Sequence, residues 1–96
     1  MSEKDITNKI LKYLKAQPHA FAWKEHGGPY GTSGLPDIIA CIGGRFYAFE
    51  VKAPVGRLTH LQGATIEKIN AAGGVAHKVT GLEEVKEILR VGGATE

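Results

Sequence analysis

Two adjacent glycines, Gly43 and Gly44, separate two short runs dominated by apolar side chains, residues 37–42 and 45–52. The first run is rich in isoleucine and the second in aromatic residues, and both are short for a helix, so each reads as a strand. A Gly-Gly pair between two such runs is a strong hairpin signal. The tight turns that match the twist of paired strands need positive φ, which glycine adopts freely. The turn also sets a register. With an even-numbered loop centred on the pair, Ile42 opposes Arg45 and Asp37 opposes Glu50. Directly opposed side chains share a face, roughly 5 Å apart at Cβ. Lys52, two residues beyond Glu50, shares that face too. A loop of odd length would destroy this arrangement.

The rest of the chain supplies elements to pack on this hairpin. Residues 3–16 read as an amphipathic helix, with Ile6, Ile10, Tyr13 and Leu14 on one face and Lys4, Asn8, Lys12 and Lys15 on the other. Pro18 ends it. Residues 21–24 form a short strand, and residues 25–35 a loop carrying four glycines and a proline. A second helix over residues 59–72 turns Leu58, Leu61, Thr65, Ile69 and Ala72 inward, and Gly73-Gly74 stops it. Residues 75–79 alternate as a strand. Thr80-x-x-Glu83 reads as a capping box that opens a last helix running to about Arg90, with residues 91–96 a frayed tail. The order is α-β-β-β-α-β-α. It predicts one α/β domain over residues 1–96, a mixed sheet of about four strands flanked by helices.

Composition excludes several classes. Of 96 residues 43% are hydrophobic and 23% charged, which fits a folded globular protein and not a disordered chain. The formal charge of +2 and pI near 8.8 permit a nucleic-acid partner without demanding one. Cys41 is the single cysteine, so no internal disulfide forms, and its apolar run makes it a small core residue. With no apolar stretch of ~18 residues and no basic-then-apolar leader, the expected location is the cytoplasm, away from membranes.

Asp37 and Glu50 carry the chemistry. Directly opposed like charges destabilise a strand pair. A divalent cation between them removes the conflict, and carboxylate oxygens are the hard donors that Mg2+ and Mn2+ prefer. The Val51 carbonyl offers a further oxygen at the same strand end. An ammonium at Lys52 can orient a water and stabilise charge developing on a phosphoryl group. The bland reading is a solvated strand face, where Glu-x-Lys occurs often by chance. Against it, the pair shares its face with Ile39, Cys41, Phe46 and Ala48, and the charges gather at one end of the hairpin. Both readings stand on geometry.

Pro36-Asp37, twelve intervening residues and then Glu50-Val51-Lys52 resemble the PD-(D/E)xK nuclease superfamily, and the αβββαβ order is similar to its restriction-endonuclease-like core. The fuller string, Gly34-Leu35-Pro36-Asp37-Ile38-Ile39, then Phe49-Glu50-Val51-Lys52-Ala53, then Leu58-Thr59-x-x-Gln62, resembles the VRR-NUC branch, found as stand-alone viral and bacterial proteins and in larger repair enzymes. The resemblance implies that Asp37, Glu50 and the Val51 carbonyl bind Mg2+ or Mn2+, and that Lys52 serves the attacking water. It implies that Gln62 acts near the site, although Thr59-x-x-Gln62 is also a capping box. Glu3 matches an acidic position on the first helix, reaching the metal directly or through water, or else simply favouring the helix N-terminus. Arg57, Lys24 and Ser33 are candidate phosphate contacts, against ordinary solvation. His26, His60 and His77 lack metal-ligand spacing. The implied activity is hydrolysis of DNA phosphodiester bonds, with a preference for branched, flap or four-way-junction DNA in replication or repair, by a homodimer needing no nucleotide cofactor. The alternatives are an idle nucleic-acid-binding module and a hydrolase acting on RNA or another phosphoester.

Overall fold

The hairpin forms in the register that the two glycines dictate. Strands β2 (Ile38–Ile42) and β3 (Arg45–Val51) meet at Gly43 and Gly44, with φ of 58° and 83°. Consecutive positive φ values are what a tight hairpin turn requires. Pairing runs from Ile42↔Arg45 to Ile38↔Phe49. The computed structural model describes residues 1–27 and 31–95; Gly28, Pro29 and Tyr30, at the centre of the expected glycine-rich loop, and Glu96 lie outside the described residues.

Helix α1 (Glu3–Lys15) starts at Ser2, whose side chain accepts from the Asp5 amide while the Asp5 carboxylate accepts from the Ser2 amide. This reciprocal cap satisfies two otherwise orphaned donors. Strand β1 (Ala20–Lys24) pairs antiparallel with β2, from Ala20↔Ile42 to Lys24↔Ile38. After β3 the chain crosses through helix α2 (His60–Ala71) to β4 (Val75–Val79), which lies parallel to β3. A parallel neighbour needs such a crossover. Helix α3 (Leu82–Val91) closes the order, and the sheet runs β1-β2-β3-β4.

The two faces of the sheet differ. One packs Ile38, Ala40, Ile42, Tyr47, Phe49 and Val51 against Ile6, Ile10 and Leu14 of α1 and Val85 and Leu89 of α3. The other carries only Ile39, Ala48 and Ala76 in its core, beneath Ile66 and Ile69 of α2. Strand alternation separates the two sets.

Four expectations are corrected. Leu61, expected inward, is 51% exposed, and Ala72 is exposed; Ile66 and Ile69 face the sheet. Leu61 instead packs beneath Gly34, where an added Cβ would lie 2.5 Å from its Cγ. Cys41 is exposed and not a core residue, because α2 leaves its end of the face uncovered. The last helix begins at Leu82 behind an extended Gly81, so Thr80 bonds Glu84 rather than Glu83 (backbone N to Oε1, 2.8 Å). Within the tail expected to fray, residues 92–94 are tied down: Gly92 O accepts from Arg45, the Ala94 amide donates to Leu89 O, and Ala94 packs on the core.

These placements predict unequal costs for two leucine truncations. Leu14, fully buried, should lose roughly 2–5 kcal/mol on replacement by alanine. Leu61→Ala, at a half-exposed position, should cost about 1 kcal/mol or less. Urea unfolding of the two variants checks the difference.

Candidate active site

Asp37 is placed by its backbone on one side and its side chain on the other. It follows Pro36, which is fully buried, and directly precedes β2. Its carbonyl accepts from the Glu25 amide at 2.7 Å, and its Oδ2 accepts from the Val51 amide at 2.9 Å. The carboxylate thus extends the β2–β3 ladder by one rung, bonding β3 with a side chain where a backbone carbonyl would otherwise serve. Strand alternation points Glu50 to the face that carries Ala48.

Glu50 is only 3% exposed, and its Oε1 is buried with no hydrogen-bond partner among the described residues. Its Oε2 lies 3.8 Å from Lys52 Nζ. Burial, first of all, pushes the Glu50 pKa up to about 8, from an ordinary 4.5. Asp37 adds to the shift, as an acceptor for the proton of neutral Glu50 and as a like charge. Lys52 opposes it, and Glu3 contributes a smaller push in the same direction as Asp37. A buried polar atom without a partner calls for an explanation. Two hard oxygen donors destabilised by each other fit a hard divalent cation. No group of three or more His, Cys, Asp and Glu suited to a metal ion occurs among the described residues, so the remaining donors would come from backbone, water or substrate.

The other predicted residues fall at varied places. The Lys52 amide donates to Val79 O at 3.0 Å, fixing its backbone to β4. Glu3 reaches the site's edge, where its Oε2 accepts from the Ala53 amide at 3.1 Å. Gln62 is engaged in the helix cap: its Oε1 accepts from the Thr59 amide at 2.9 Å and its own amide donates to Thr59 Oγ at 3.1 Å. Lys24 ends β1 opposite Ile38, next to Asp37, and is exposed; Arg57 and Ser33 are exposed on the flanking connections. His26, His60 and His77 are exposed. Sequence reasoning missed Lys78, which stands opposite Glu50 across the parallel β3–β4 pair. Its alternation with Ala76 was visible, but no turn in the sequence sets that register.

No family model matches the sequence, and no curated protein matches it. Solved structures do match in three dimensions, among them these two. One, titled VRR_NUC domain protein, superposes with a TM-score of 0.72 at 18% identity, covering 94% of this chain and 86% of its own. The other, titled VRR_NUC domain, gives 0.76 at 19% identity, covering 92% and 94%. This chain has the VRR_NUC fold. Its mixed four-stranded sheet and element order agree with the restriction-endonuclease-like core that the sequence resemblance implied. No described helix of this VRR_NUC-fold chain is long and apolar enough to cross a membrane.

The raised Glu50 pKa predicts a pH signature in metal-free protein. The native state keeps the Glu50 proton up to about 8, whereas the unfolded chain releases it near 4.5. Stability from this group is therefore full below 4.5 and falls as pH rises through 8. Glu50→Gln should remove that fall and exceed wild-type stability above pH 8 by on the order of a few kcal/mol. Denaturation with EDTA present, from pH 5 to 9, measures it.

Proposed function

We propose that this protein is a nuclease that hydrolyses phosphodiester bonds with a bound Mg2+ or Mn2+. One observation carries the reading: Glu50 is buried with a bare oxygen, faces Asp37, and has Lys52 Nζ 3.8 Å away. Asp37, Glu50 and the Val51 carbonyl are the oxygens that would hold the metal. When bound, the metal supplies Lewis acidity and charge neutralisation at the scissile phosphate.

The chain's own residues do the rest. Asp37 can receive a cation because its second oxygen is locked on the Val51 amide, which fixes the carboxylate plane. Lys52, its backbone held by Val79, offers an ammonium that orients water for in-line attack and stabilises negative charge on the phosphoryl oxygens. Gln62 commits its oxygen to the helix cap and keeps its amide NH2 to donate toward water or phosphate. Glu3, bonded to Ala53, contributes through water rather than as a direct ligand. Lys24, Arg57 and Ser33 contact the DNA backbone from the exposed edges of the site.

The substrate is DNA read by shape, with branched, flap or four-way-junction forms preferred, in replication or repair in a phage or bacterial setting. The protein acts in the cytoplasm, where an exposed Cys41 thiol stays reduced. Its form is a homodimer. Phe21, Cys41 and Phe46 stand in one row across β1, β2 and β3, with Phe21 70% and Phe46 42% exposed. Trp23 lies beside Phe21, with ring centroids 5.4 Å apart and the planes tilted by 45°. An apolar row of this kind on a small domain supports self-association.

Purified protein should cut branched DNA with Mg2+ or Mn2+ and not with EDTA. Glu50→Ala and Lys52→Ala should each lower the rate by roughly a hundredfold or more. Linear duplex, flap, four-way-junction, single-stranded DNA and RNA substrates discriminate the specificities, and binding without cleavage would indicate an idle module. A rate that survives both substitutions sinks the site. Separately, Phe21→Asp should convert a dimer to a monomer in light scattering, with the circular dichroism spectrum unchanged.

A further inference from the structure

We propose that Lys78 is a positioning residue for this site, tethering the β3–α2 connection so that Lys52 and Arg57 are presented to substrate. The inference rests on the nuclease reading above. Lys78 opposes Glu50 in the parallel register and leaves β4 on the same face as Ala76. A lysine decorating a wet strand would extend into solvent. A lysine serving Glu50 would pair with it. Lys78 does neither: it is half-buried, the ion pair of Glu50 is with Lys52, and Lys78 Nζ donates to Gly56 O at 2.8 Å.

Gly56 lies within that connection, just before Arg57. Its amide donates to Ala53 O at 2.8 Å, closing a turn over residues 53–56. The turn lies directly on Lys52, for a Cβ at position 56 would come 3.2 Å from Lys52 Cβ and 3.1 Å from Ala53 O. Its near end is already fixed, by the Lys52 amide on Val79 O and the Ala53 amide on Glu3 Oε2. Lys78 anchors the far end, immediately before Arg57. A cationic donor on a carbonyl makes a stronger bond than a neutral one. Without it the turn keeps its internal bond but loses its tether to the sheet. The stem of Lys52 then loses a wall, and Arg57 loses a fixed origin.

Two variants separate tethering from mere stabilisation. Lys78→Met keeps an apolar stem without the donor, and Lys78→Arg keeps a cationic donor; Lys78→Gln replaces the first if that variant does not fold. Native-state trypsin cleavage after Arg57, followed by mass spectrometry, should be about tenfold faster in Lys78→Met. On the preferred DNA, kcat should fall about tenfold while KM stays within about twofold. Lys78→Arg should recover most of both. Wild-type trypsin kinetics in Lys78→Met, an unchanged kcat, or an arginine variant no better than methionine overturns the inference. Wild-type protein that cuts no nucleic acid overturns the nuclease reading and the catalytic half of this one, while the trypsin arm still decides the tether.

Discussion

Asp37 and Glu50 face each other because the β2–β3 register leaves them no other place, and much of the local structure accommodates that meeting. Glu50 sits on β3, a strand flanked on both sides, so its backbone cannot yield without breaking two ladders. Asp37 is held at both its carbonyl and its carboxylate. Burial above all, and then the facing Asp37, raise the pKa of Glu50. The metal proposed above would relieve this conflict by taking an oxygen from each carboxyl.

The asymmetry of the sheet follows the same division of labour. The face under α1 and α3 is packed with large side chains, including Tyr47 and Phe49, and supplies most of the hydrophobic stabilisation. The opposite face is built from Ile39 and two alanines under a single helix. Small residues there let α2 lie close while leaving both ends of the face open. One end holds the carboxylates and Lys52. The other exposes the row formed by Phe21, Cys41 and Phe46. A helix with no fully buried side chain is a light cover for that face.

Gln62 and Glu3 both make hydrogen bonds that hold local structure. Gln62 forms the cap that its sequence position allows, and the cap uses its oxygen and spares its amide donors. Glu3 bonds the backbone of the residue after Lys52, so its charge lies near Glu50 without reaching as a ligand. In both cases the motif was visible in the chain, and the hydrogen-bond partner was not.

What could be read without coordinates was whatever local chemistry fixes. Gly43-Gly44 imposed positive φ, positive φ imposed the hairpin, and the hairpin aligned Asp37 with Glu50 and Lys52. Ile6, Ile10 and Leu14 announced the buried stripe of α1 by spacing alone. What needed the folded chain was everything set by packing between distant segments. The rotation of α2 exposes Leu61 and sets it against Gly34, a contact between distant segments. The exposure of Cys41 depends on how far α2 reaches across the sheet, and the docking of the tail depends on Arg45 bonding Gly92. Lys78 stayed hidden for the same reason: a parallel register is set by how a crossover helix packs, and no residue in the connection encodes it. Turns are local and written in two or three residues, whereas the faces that elements show one another are chosen only when all of them are packed.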